Sequence, residues 1–234
     1  MYKKYFSMVI IGMVALLLGI ATGPSVTATQ QTDNEKDDKL LVKKGFDNWE
    51  YEAVQLGSDV HIRISSSLRG KSNLKKLLSE HKKYDKDLFQ SAQEVPVVIL
   101  MNEAISPATL TDFAKQYNVV VQSYTLLAQD HKGQTITFFG APVQDQLFPA
   151  DILQAMVANL ERAYETTITV KGVVSIEAKV DAGALAKLNS DPNVLGVDLT
   201  PALAIQDFKK QFKDVEASSI MFTPAPFYWS ATED

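Results

Sequence analysis

The chain contains no cysteine among its 234 residues. That absence excludes disulfide staples, thiolate metal ligands, cysteine nucleophiles and lipid attachment at an N-terminal cysteine. A chain without disulfides must be held by its core, and 46% hydrophobic residues make that feasible. Asn-x-Ser/Thr acceptors are missing, so N-glycosylation is not expected. Positive charge is scarce, with 23 Lys and Arg against 28 Asp and Glu and a formal net charge of -5. No basic stripe is present, which argues against nucleic acid or anionic lipid as a partner. The three histidines, His61, His81 and His131, fall in different elements without a second ligand at metal-binding spacing. Each reads as a surface or turn residue. There is no Gly-x-Ser-x-Gly elbow and no glycine-rich phosphate loop. No catalytic residue, metal or cofactor is therefore expected, and the chain reads as a non-enzyme.

What is present begins at residue 1. Lys3 and Lys4 precede an apolar run from Phe6 to Ala21, Gly23-Pro24 ends it, and Val26-Thr27-Ala28 supplies small residues. These are the three parts of a secretory signal. The run is about 16 residues, short of the roughly 20 of a comfortable span. Residues 1–28 are thus expected to be a signal peptide cleaved after Ala28, or a retained membrane anchor. The protein is expected to be exported, secreted or held at the outer face of the membrane, touching the membrane only through this segment. Residues 29–45, TQQTDNEKDDKLLVKKG, are polar and charged and read as a flexible linker. Asp33, Glu35 and Asp37 alternate there as in a calcium loop, but the turn glycine and distal Glu are missing.

Residues 46–94 read as a strand–helix subdomain. Two strands flank Gly57-Ser58, with Val60, Ile62 and Ile64 alternating with His61, Arg63 and Ser65. A helix capped at Ser72 or Asn73 follows, with Leu74, Leu77, Leu78, His81 and Leu88 near one face. Residues 95–200 carry the main domain. Val97 to Met101 is apolar on both faces and predicts a central strand. Ser106 and Pro107 open a helix burying Leu110, Phe113, Ala114 and Tyr117. Strand Val119 to Leu127, a turn at Asp130 to Gly133 and a return strand Thr135 to Phe139 follow. A helix over 149–164 is expected to bury Ile152, Leu153, Met156, Val157 and Leu160. Val174, Ile176, Ala178 and Val180 alternate with Ser175, Glu177, Lys179 and Asp181. Asp181 caps a short helix with Leu185 and Leu188, and Pro192-Asn193 turns into a strand over Val194 to Leu199. Residues 201–234 read as a helix through Ile205, Phe208, Phe212 and Val215, then an aromatic tail from Met221 to Trp229. The predicted class is α+β: a ferredoxin-like split βαβ antiparallel sheet with an inserted strand and helix, preceded by a β-hairpin/helix segment.

The segment VKGVVSIEAKVDAGALAKLNSDPNVLGVDLT, residues 170–200, resembles the second half of subtilisin-propeptide-like inhibitor domains. The matching positions are Gly172, Val174, Leu185, Leu188, Pro192, Val194, Val197 and Asp198. The resemblance covers about 30 residues and implies the fold and a binding habit. It does not carry the protease partnership, because the residues after Thr200 read first as a helix and not as an extended substrate mimic.

The expected activity is binding of another exported or cell-surface protein, as an inhibitor-like module or a membrane-tethered regulator. The candidate partner contacts are Glu177 and Lys179 on the polar strand face and Phe227, Tyr228 and Trp229 in the tail, where Pro224 and Pro226 stiffen the chain. Two alternatives remain open: a structural cell-surface component, and a hydrolase with an unrecognised site. For the latter, Glu177 and Asp198 are the acids to examine, on strands read as possible neighbours with no apolar pocket around either.

Overall fold

The computed structural model of the chain describes residues 39–223 except Arg69, Ala92 and Asp145. The expected signal at 1–28 and the tail residues Phe227, Tyr228 and Trp229 lie outside the described residues. Strands β1 (Lys39–Gly45), β2 (Trp49–Leu56) and β3 (Asp59–Ser66) form an antiparallel meander. Trp49, Tyr51 and Ala53 on β2, and Val60, Ile62 and Ile64 on β3, all turn inward and are buried, as strict alternation requires. The β2–β3 turn passes through Gly57 at φ 64°, a left-handed conformation that glycine adopts freely.

Strand β1 corrects the linker reading of 29–45 over its last seven residues. Its lysines hide the pattern: Leu41 and Val42 are half-buried against the core while Lys43 pairs with Glu50 and Lys44 with Asp207. Lysine on an edge strand is a common guard against unwanted pairing. Helix α1 (Lys71–His81) starts after Gly70 with no side-chain cap, so neither Ser72 nor Asn73 serves as one. A turn then separates it from α2 (Asp85–Ser91), so the expected single helix is two.

The second sheet contains β4 (Val95–Ile105), β5 (Val120–Asp130), β6 (Thr135–Gly140), β7 (Ile168–Val180) and β8 (Val194–Asp198). Its order is β6-β5-β7-β4-β8, and every neighbouring pair is antiparallel. Between the strands run α3 (Pro107–Tyr117), α4 (Ala150–Tyr164) and α5 (Ala182–Leu188), and α6 (Thr200–Gln211) follows β8. Ser106 accepts from the Thr109 N–H and Asp181 from the Ala184 N–H, two of the three caps expected from the sequence. β7 changes phase near Gly172, whose φ is 140° and where a Cβ would meet the Ile105 carbonyl oxygen at 2.4 Å. A second register shift follows Val173, where Leu126 pairs with Val173 but Thr125 with Ser175, so Val173 joins Ile176, Ala178 and Val180 in this core while Val174 is buried outside that cluster.

One core lies between the second sheet and α3, α5 and α4, through Leu110, Phe113, Leu185 and Leu188. A second core lies on the opposite sheet face. There Val98 and Leu100 of β4 meet Leu74, Leu77 and Leu78 of α1, Ala204 and Phe208 of α6, and the inward residues of the first sheet. The layers run sheet, helices, sheet, helices. Strand β9 (Ser219–Thr223) closes the first sheet by pairing parallel to β3, with Ile62 opposite Ile220 and Ile64 opposite Phe222. Part of the predicted tail is thus a core strand, and Phe222 is buried. Helix α4 forms where expected, but none of its residues is fully buried; Ile152, Leu153, Met156, Val157 and Leu160 are only half-buried. Among the described residues no helix is long and apolar enough to cross a membrane.

Candidate functional site

Glu177 and Asp198 are both cross-strand partners of Val98, one on β7 and one on β8. Cross-strand partners point to the same face, so both carboxylates share the β4 face that carries the second core. The two strands do not pair with each other: β4 stands between them, and two strand spacings put the backbones about 10 Å apart. The expectation that neither acid is in an apolar setting is overturned for both. Asp198 is wholly buried, and its Oδ1 accepts from the Thr200 N–H at 2.8 Å and the Thr200 hydroxyl at 2.6 Å. It holds the turn into α6.

Burial pushes the Glu177 carboxyl up from 4.5 to about 7, while the Ser123 hydroxyl, donating to it from β5, works against that shift. An acid with a raised folded pKa holds its proton more tightly in the folded state. Its stabilising contribution is therefore complete below 4.5 and is lost as the pH rises through about 7. Glu177→Gln is expected to gain melting temperature relative to the parent as pH rises across that window. A difference that stays flat from pH 4.5 to about 8 would place Glu177 in solvent. Lys179, two residues on and on the same face, is exposed. Of the expected pair of strand contacts, only the lysine is freely presented.

His81 corrects the surface assignment, being 3% exposed. Its Nδ1 accepts from the Leu199 N–H at 3.0 Å, which a protonated nitrogen could not do. Burial, the leading cause, lowers its pKa against the opposing pull of Asp198, Glu80 and Asp85. The 3.3 Å approach of Nδ1 to Asp198 Oδ1 is accordingly a contact of a neutral ring, not an ion pair. His61 bonds the Ser219 hydroxyl and His131 contacts Thr166, both at the exposed surface. Among the described residues no group of His, Asp or Glu is arranged to hold a metal ion.

A concave surface lies between α3 and the corner joining α5 to β8. It is a groove of about 590 Å³ with Phe113 and Tyr117 on one wall and Lys187, Asp191 and Pro192 on the other. The corner is preorganised. Asp191 Oδ1 accepts from the Asn193 N–H at 2.7 Å, making an Asx turn around Pro192, and Oδ2 accepts from the Tyr117 hydroxyl at 2.5 Å. The Asn102 side-chain amide donates to the Pro192 carbonyl at 2.6 Å and fastens the turn to β4. The Phe113 and Tyr117 rings lie 4.8 Å apart, tilted by 50°. The bond to Asp191 raises the Tyr117 pKa and lowers that of Asp191.

Sequence patterning counted Tyr117 as a buried stripe residue, and missed the groove. It is half-buried, with its ring on the helix face and its hydroxyl turned to a turn 74 residues on. The one signal is Pro192-Asn193, which marks a turn but not what it faces. No protein-family model, curated protein or solved structure matches this chain.

Proposed function

We propose that this chain is an exported, non-enzymatic protein-binding module that docks its partner in the groove between α3 and the α5–β8 corner. The observation that carries the reading is the groove's construction: two aromatic rings on one wall and an anchored polar turn on the other. Tyrosine walls with a satisfied polar rim are the anatomy of protein interfaces. Asp112 and Asp191 against a single Lys187 favour a partner that brings a basic side chain over the rings. The turn lies in the segment that resembles propeptide-like inhibitors, which supports an inhibitor-like habit. The frame we assign is a ferredoxin-like split βαβ unit formed by β4-α3-β5 and β7-α5-β8, with β6 and α4 inserted. The apolar run at 6–21 supports export, and with it an exported or cell-surface partner.

A photoreactive residue at Gln116 on the groove rim tests this in cells that make the intact protein. It should yield one dominant adduct, and Tyr117→Ala should cut that adduct about tenfold or more at a temperature well below the variant's own melting transition. Adducts that form equally well in Tyr117→Ala would remove the groove from the function. A raised Glu177 pKa is the observation that favours the hydrolase alternative, and loss of a measured turnover in Glu177→Gln would establish it instead.

A further inference from the structure

Helix α4 is the longest described helix, yet none of its residues is fully buried. Its apolar stripe rests half-covered on the second sheet, while the opposite stripe is left to solvent. That outer stripe consists of Asp151, Gln154, Ala155, Ala158, Asn159 and Arg162, all exposed. At 100° per residue they span the side of the helix facing away from the sheet. Among the described residues neither Asp151 nor Arg162 forms an ion pair; Arg162 leans on Asn159 at 3.3 Å.

The order of these residues is symmetric about a point between Met156 and Val157. A two-fold axis there, perpendicular to the helix, lays a second copy antiparallel and sets Asp151 against Arg162, Gln154 against Asn159 and Ala155 against Ala158. Opposite charges meet at both ends, amides meet amides, and the centre is small enough for the axes to approach within about 8 Å. An isologous contact requires this self-complementarity, because each residue must suit the partner that it in turn faces. We propose that this face of α4 is the interface of a homodimer, formed by antiparallel packing of α4 on α4 of a second copy. Two 15-residue helices make a small interface, so the dimer belongs to the weak, concentration-dependent class. It is independent of the groove, which lies at α3 and α5.

Asp151 in the first turn and Arg162 in the last also suit the helix's own dipole, so the test must ask whether the two residues meet across copies. Sedimentation of the intact chain should show a monomer–dimer equilibrium. Asp151→Arg alone and Arg162→Asp alone each juxtapose like charges at both ends and should weaken the dimer at least about tenfold. An equimolar mixture of these two variants restores opposite charges at both ends and should recover it, as should the double exchange. Misfolding would not produce such recovery. Because the chain has no cysteine, register can be read directly: Ala155→Cys mixed with Ala158→Cys should form a disulfide-linked pair more readily than either alone. A parent chain that stays monomeric at concentrations on the order of 1 mM overturns the proposal, and so do single variants that dimerise normally or mixtures that fail to recover.

Discussion

Phe208→Ala should lower the unfolding free energy by about 3–5 kcal/mol, the range for removing a fully buried aromatic side chain. Phe208 is wholly buried in α6 and stacks on Phe212 at a centroid distance of 4.9 Å. Its cluster includes Val98 and Leu100 of the second sheet and Tyr51, Ile62 and Ile64 of the first. A cavity there opens the layer that binds the two sheets together. The loss should therefore appear at once in both sheets. Trp49, in the first sheet, reports through its fluorescence, and far-ultraviolet circular dichroism reports on the whole. Both urea transitions should move together to lower denaturant with an unchanged slope. Two separated transitions, or a loss below about 1 kcal/mol, would mean that the sheets do not form one cooperative unit.

Ile99→Ala should cost about 2–5 kcal/mol. Ile99 sits in the middle of β4, wholly buried, directly opposite Ile176 of β7 on one side and Val197 of β8 on the other. Truncation leaves a cavity bounded by strands on both flanks and by helices above, so little can relax into it. Ile99→Val, which removes one methylene, should cost only about 0.5–1.5 kcal/mol. A measured cost for Ile99→Ala below about 0.5 kcal/mol would put β4 at the surface and undo the proposed sheet order. Chemical denaturation of both variants separates cavity formation from a general weakness of the strand.

The candidate site was legible only in fragments. The Pro192-Asn193 turn and the α3 stripe could each be read from residue type and spacing, because a turn and a helical period act over a few residues. That Tyr117 bonds Asp191 could not be read, since nothing local links α3 to the α5–β8 corner. The same limit misassigned Glu177. Alternation placed it correctly on the polar face of β7, but alternation does not say what covers that face, and its covering is what lifts its pKa.

Elements whose causes are local were determined by the sequence alone. These include the Ser106-Pro107 and Asp181 helix starts, the β5–β6 hairpin, the apolar strand β4 and the α+β class. Caps, turns and periodicity operate within one or two turns of chain, so their energetics are written in neighbouring residues. Only the tertiary structure decided that Lys39–Gly45 and Ser219–Thr223 are strands, because each becomes one by pairing with β2 or β3 and not by its own pattern. Only it decided that His81 is neutral, through a bond to a backbone N–H 118 residues away. Burial, charge state and edge pairing depend on groups brought together by the whole fold, and the cost of desolvation is set there.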